Sequence, residues 1–138
     1  MTKFKGNRKL AILIFLLSVG WVVALFVESS HSPPRIMGEI PGLDKVAHFI
    51  AFAILTLLIC FVVFIWSGNP AISLFSLPFW LTLLVGLSEE GYQILVPSRT
   101  GSVLDLLADI AGATIAMVAI KRSCLMLRIK AWFETNSV

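Results

Sequence analysis

The 138-residue chain is 58% hydrophobic, and 14% of its residues are charged, against about 25% in a typical soluble domain. Its net charge is +3, but the basic residues lie mainly near the two termini beside apolar runs, and no nucleic-acid-binding motif accompanies them. The composition therefore excludes an ordinary soluble domain, argues against a nucleic-acid partner and predicts one small membrane domain over residues 1–138.

The first apolar run covers residues 10–27, long enough to cross a hydrocarbon core of about 30 Å. A cleaved signal peptide is the alternative, but its apolar core is normally about 7–15 residues long and precedes a small-residue cleavage site. This run is longer and ends in Leu-Phe-Val-Glu, so we expect an uncleaved anchor. Residues 28–44 follow, and their prolines and glycines argue against a continuous helix there.

Three further spans are predicted, over residues 46–66, 78–96 and 103–120. Trp66 marks a membrane interface, and Ser67 to Pro70 are expected to form a short turn. Pro78 suits the first turn of a helix, where its missing N–H does no harm. The predicted fold class is therefore all-α, a polytopic four-transmembrane-helix bundle, followed by a basic tail at residues 121–138.

The basic residues predict the orientation of these spans. If both termini lie in the cytoplasm, eight of the eleven Lys and Arg residues lie inside, and only Arg35, Lys45 and Arg99 lie outside. This bias fits the positive-inside rule for four spans. We therefore expect both termini, and the tail at 121–138, on the cytoplasmic side.

In this orientation, polar residues from three spans and one loop meet at the outer membrane face. A charge in hydrocarbon costs at least ~2.5–3.5 kcal/mol, so such residues usually pair or serve a function. We expect His48 to act as nucleophile or general acid–base and Arg99 to bind an anionic group. The candidate catalytic residues are His48, Glu90 and Asp105, and the candidate substrate-binding residues are Lys45, Gln93, Arg99, Ser102 and Asp109.

Two simpler interpretations stay open for parts of this set. Asp105 and Asp109 could form a structural salt-bridge network with Lys45 or Arg99. For Glu89, we favour exposure to solvent near the end of its helix. The carboxylates would also suit a divalent cation, but the grouping is too generic to predict one, so no metal and no cofactor is predicted.

The fourth span carries a stripe of residues at helical spacing, Asp105, Asp109, Gly112 and Ala116. Its first half is acidic and its second half is small. Gly112 and Ala116 form a small-xxx-small pair, which lets a neighbouring helix approach closely. We therefore expect another span to pack on this stripe.

Two motifs carry a family resemblance. The first is Asp44-Lys45-Val46-Ala47-His48-Phe49 with Phe52, and the second is Glu89-Glu90-Gly91-Tyr92-Gln93, the turn Val96-Pro97-Ser98-Arg99-Thr100-Gly101-Ser102, Asp105 and Gly112. Together they resemble the VanZ-like family of small bacterial membrane proteins, named for a member linked to teicoplanin resistance. The chain departs from the family pattern at Asp109, where Asn is usual, and at Ala116, where a second Gly is common.

The resemblance implies a protein of the bacterial cytoplasmic membrane that acts at the cell envelope, with a contribution to glycopeptide (teicoplanin) tolerance as one expectation. The site would bind or process a lipid-linked or phosphorylated envelope substrate. The alternatives are a non-catalytic lipid- or precursor-binding accessory module and, third, a small proton-coupled transporter. Expected partners are membrane lipids and a lipid-linked cell-wall precursor or the glycopeptide itself, and both catalysis and oligomerisation are left open.

Overall fold

The computed structural model describes residues 8–67 and 76–136, without the side chains of residues 67, 124–126 and 128–136. Most of the turn predicted at Ser67 to Pro70 lies outside the described residues. The described part contains helices and connecting loops but no strand. The helices are α1 Arg8–Ser29, α2 Arg35–Glu39, α3 Leu43–Ser67, α4 Leu77–Leu95 and α5 Val103–Asn136.

Three of the described helices are long and apolar enough to cross a membrane, over Arg8–Ser29, Leu43–Trp66 and Val103–Ser123. Helix α4 is not among them, because Glu89, Glu90 and Gln93 make its second half polar. The prediction of an all-α membrane protein is confirmed. The predicted number of four spans is not confirmed by helix length and hydropathy.

Helix α3 lies at the centre of the described structure and contacts each of the other four helices. Its core residues, Phe52, Leu55 and Cys60, are almost fully buried, as is Met117 of α5. Outward-facing apolar side chains such as Leu13 and Leu84 remain more than half exposed. Apolar side chains on the outside as well as in the core fit a surface that contacts lipid rather than water.

Helices α3 and α5 approach each other closely at Gly112. A Cβ atom at this position would collide with the backbone carbonyl of Phe49 and lie 3.2 Å from the backbone nitrogen of Ala53. Ala116, one turn further along α5, is also buried. The expectation of a helix packed on the small residues of the stripe is therefore correct, and that helix is α3.

Two features of the fold add to the predicted pattern. The short helix α2 lies within the Pro- and Gly-rich connection between α1 and α3, and Gly42 ends this connection with φ +82°, a conformation that favours glycine. Helix α5 continues past Ile120 and Lys121 to Asn136 without interruption. Residues 121–136 of the basic tail are thus a helical extension of the last span.

Candidate functional site

Ser102 joins the start of α5 to the end of α4. Its hydroxyl accepts a bond from the backbone N–H of Asp105 at 3.3 Å, as expected of a helix N-cap residue. Its own backbone N–H donates to Oε2 of Glu90 at 2.6 Å. The predicted site residues Ser102 and Glu90 are therefore in direct contact, and this contact aligns α5 so that Asp105 faces the helix bundle.

Lys45 connects α3 to α5 through two carboxylates. Its Nζ atom lies 2.7 Å from Oδ2 of Asp44 and 2.7 Å from Oδ1 of Asp105. Asp105 is 7% exposed, so its charge is compensated by a direct ion pair rather than by solvent. Of the two structural pairings considered for Asp105, the one with Lys45 is formed.

His48 lies one turn deeper on α3 and faces Asp109. Its Nδ1 atom is 3.0 Å from Oδ1 of Asp109, whose residue is 2% exposed. The imidazole also stacks on Phe52, with the ring planes 7° apart. The packing of Phe52 and the bond to Asp109 together hold the His48 ring in one orientation.

The expectation that Glu89 faces solvent is wrong. Glu89 is 2% exposed, and its Oε1 atom accepts a bond from the hydroxyl of Ser29 at 2.5 Å. The amide of Gln93 donates to the same hydroxyl at 3.1 Å. Ser29, at the end of α1 and fully buried, is thus a residue of the polar cluster that no sequence pattern indicated.

Arg99 does not pair with Asp105 or Asp109. Its Nη2 atom contacts the carboxylate of Glu28 at 2.6 Å and the backbone carbonyl of the same residue at 2.9 Å. Its Nε atom donates to the carbonyl of His31 at 2.7 Å. The loop between α4 and α5 is therefore fastened to the end of α1, which the predicted structural network did not include.

Two adjoining cavities open beside these residues. One is polar, has a volume of about 370 Å³ and contains six of the eight predicted site residues, namely Lys45, His48, Gln93, Arg99, Ser102 and Asp105. The other is mainly apolar, measures about 350 Å³ and lies between α1 and α3, with Trp21, Leu25 and Ala51 in its wall. His48 and Arg99 line both cavities, so the two spaces meet at these side chains.

Glu90 and Asp109, the remaining two predicted site residues, do not line the polar cavity. Both are buried and contact residues of the cavity wall instead. Glu90 accepts a bond from the backbone of Ser102, and Asp109 contacts the ring of His48. The structure thus brings all eight residues into one connected cluster. Their separate roles as catalytic or binding groups stay predictions.

The helical architecture and the buried polar cluster define a multi-pass membrane protein in which polar groups from four helices meet at one end of the bundle. The family model described as VanZ/LLP1 matches residues 3–127, and the chain belongs to this family. No curated protein and no solved structure matches the chain significantly.

Proposed function

We propose that the chain binds an anionic amphiphile at the outer face of the bacterial cytoplasmic membrane, with a lipid-linked cell-envelope precursor as the substrate class. In this proposal α4 is a fourth crossing, both termini lie in the cytoplasm, and the polar cavity opens outward. The observation that carries the proposal is the pairing of one polar and one apolar cavity that share His48 and Arg99.

The polar cavity suits a phosphate or pyrophosphate head. It contains two cationic side chains, Lys45 and Arg99, and the hydroxyl-bearing residues Ser98, Thr100 and Ser102. The described contacts of Arg99 use Nε and Nη2, so Nη1 can donate to an anion. A compact anionic head would therefore find hydrogen-bond donors in this space, and it would share Lys45 with Asp44 and Asp105 and share Arg99 with Glu28.

The apolar cavity suits a hydrocarbon chain. Its wall includes Trp21 and Leu25 of α1 and Ala47, Ala51 and Phe52 of α3. The indole N–H of Trp21 donates to the carbonyl of Ala51 at 3.0 Å, so the ring adds no unpaired donor to the cavity wall. Small residues on α3 keep this space open, so an isoprenoid or acyl chain can lie between α1 and α3.

Family membership supports a role of the protein at the cell envelope. A protein that retains or modifies a lipid-linked precursor would change how much precursor a glycopeptide can reach, and this supports a contribution to teicoplanin tolerance. His48 lies at the junction of the cavities and is the group suited to accept or donate a proton if the ligand is processed. The alternative without chemistry is an accessory module that binds the same ligand and releases it unchanged.

The test is direct binding of a polyprenyl phosphate to the purified full chain in detergent or nanodiscs. Ala51→Phe fills the apolar cavity and should weaken binding of the polyprenyl phosphate at least tenfold, while Ala111→Phe, on the exposed side of α5, should leave binding unchanged. Arg99→Gln should weaken binding similarly, and the exposed Arg35→Gln should not.

Inorganic phosphate and uncharged polyprenol separate the two halves of the ligand. We expect each of them to bind much more weakly than the polyprenyl phosphate. Equal binding by wild type, Ala51→Phe and Arg99→Gln would contradict the proposal. Release of a modified product after incubation would identify an enzyme, and recovery of the intact lipid would identify a binding module.

A further inference from the structure

Four buried side-chain oxygens have no hydrogen-bond partner among the described residues, and three of them belong to the same cluster. They are Oε2 of Glu89, Oε1 of Glu90 and Oδ2 of Asp109. The three residues are 2%, 8% and 2% exposed. A buried carboxylate oxygen without a donor is costly, and each such oxygen in a folded protein calls for a partner such as a proton, a water molecule or an ion.

Lys45 and Arg99, the nearby cations, do not form ion pairs with these three carboxylates. Lys45 is engaged by Asp44 and Asp105, and Arg99 is engaged by Glu28. His48 alone contacts Asp109. Even a charged imidazole would compensate only one of the three carboxylates, so ionisation of all three leaves an excess of negative charge in a region of low dielectric.

The geometry places nitrogen and oxygen donors around one point. His48, Glu90 and Asp109 each offer one ligand atom, and these atoms all lie within 4.8 Å of one another. Ligand atoms around a divalent metal ion lie about 2.0–2.2 Å from it, so small rotations of long side chains such as Glu90 bring this set into the first coordination sphere. Glu89, adjacent in sequence, supplies a further unpartnered oxygen.

Gly86 allows Asp109 to pack closely against α4. A Cβ atom at Gly86 would lie 3.0 Å from Oδ2 of Asp109 and 3.2 Å from the ring of Phe52. The unpartnered oxygen of Asp109 therefore points toward α4, on which Glu90 follows Gly86 one turn later, while its Oδ1 atom points toward His48 on α3. The opposed directions of the two oxygens allow Asp109 to connect both helices.

We propose that His48, Glu90 and Asp109 bind one divalent transition-metal ion, such as Mn²⁺ or Zn²⁺, with Glu89 as an additional or outer ligand. The mixture of one imidazole and two carboxylates suits these ions better than Mg²⁺ or Ca²⁺, which prefer oxygen ligands alone. A divalent cation compensates the excess negative charge and occupies unpartnered oxygens. The ion would lie below the polar cavity, with His48 between the two.

Metal binding is measured on the purified full chain without added lipid, so its failure and the failure of the lipid proposal are distinguishable. After chelation, titration with Mn²⁺ followed by electron paramagnetic resonance, and with Zn²⁺ by calorimetry, should show one site per chain. Glu90→Gln and Asp109→Asn should each weaken affinity at least tenfold. Glu39→Gln, an exposed carboxylate on α2, should leave it unchanged.

Thermal unfolding supplies a second measurement that remains informative if a variant folds poorly. Without metal, Glu90→Gln should be at least as stable as wild type, because it removes an uncompensated buried charge. With saturating metal, wild type should gain stability and Glu90→Gln should gain much less. Absence of a metal-dependent rise in wild type, or equal affinity and equal gain in wild type, Glu90→Gln and Asp109→Asn, would overturn the proposal.

Discussion

At the residue scale, the polar cluster depends on Ser29, whose small side chain carries only a neutral hydroxyl. Its hydroxyl donates to Glu89 and accepts from Gln93, so a single oxygen satisfies two polar groups of α4. Position in the sequence does not reveal this role. Helix α1 is apolar on all sides, so its pattern does not indicate which face packs on α4, and Ser29 could have pointed elsewhere.

Ser29→Ala should lower the free energy of unfolding by about 1–3 kcal/mol, because it leaves buried polar atoms of Glu89 and Gln93 without a partner. Ser88→Ala is the matched control, since the exposed Ser88 hydroxyl bonds only the carbonyl of Leu84 in its own helix. Thermal unfolding of the two variants in the same detergent checks this difference. Equal midpoints would show that the Ser29 contacts do not contribute to stability.

Lys45 is the second residue whose removal has a defined consequence. Lys45→Met should destabilise the protein by about 1–3 kcal/mol, because Asp105 keeps its charge in a buried position without a cation. Adding Asp105→Asn should restore much of this loss, because the amide carries no charge. A double variant as unstable as the sum of the two single variants would argue against the ion pair as the cause.

At the element scale, the contact between α3 and α5 places Lys45 and His48 opposite Asp105 and Asp109. That a helix packs on this face of α5 was predictable, because the spacing of acidic and small residues defines the face, but the sequence did not indicate that the helix is α3. The burial of Glu89 and the direction of Arg99 were not predictable to the same degree. Both depend on where the end of α1 lies relative to α4, and neither helix carries a pattern that specifies this.

Gly112→Ala should destabilise the bundle by about 1–3 kcal/mol through overpacking, since the added methyl group meets the backbone of Phe49. Gly91→Ala on α4 is the control, because nothing lies within 4 Å of its added Cβ. That control should be neutral or stabilising by up to ~1 kcal/mol through helix propensity. Comparing unfolding midpoints of the two variants separates steric conflict from propensity, and a stabilised Gly112→Ala would contradict the close approach.

At the scale of the whole molecule, the apolar runs indicate a membrane protein, and the motifs indicate which residues gather. They do not indicate that the gathered residues border two cavities of different polarity, because cavity walls such as Trp21 and Ala51 belong to no motif. Hydropathy alone also does not determine the number of membrane crossings. Helix α4 carries its buried carboxylates at one end, and their cost is reduced by partners inside the protein.

Labelling of a cysteine at Thr100, which lines the polar cavity, tests the proposed function most directly. The variant carries Thr100→Cys with Cys60→Ala and Cys124→Ser, and intact spheroplasts are treated with a membrane-impermeant maleimide. A Glu39→Cys variant in the same background, on the exposed face of α2, serves as the control. We predict that both cysteines react from outside and that added polyprenyl phosphate protects Thr100→Cys alone; labelling only after the membrane is opened, or labelling that the lipid leaves unchanged, would contradict an outward-facing site for an anionic lipid.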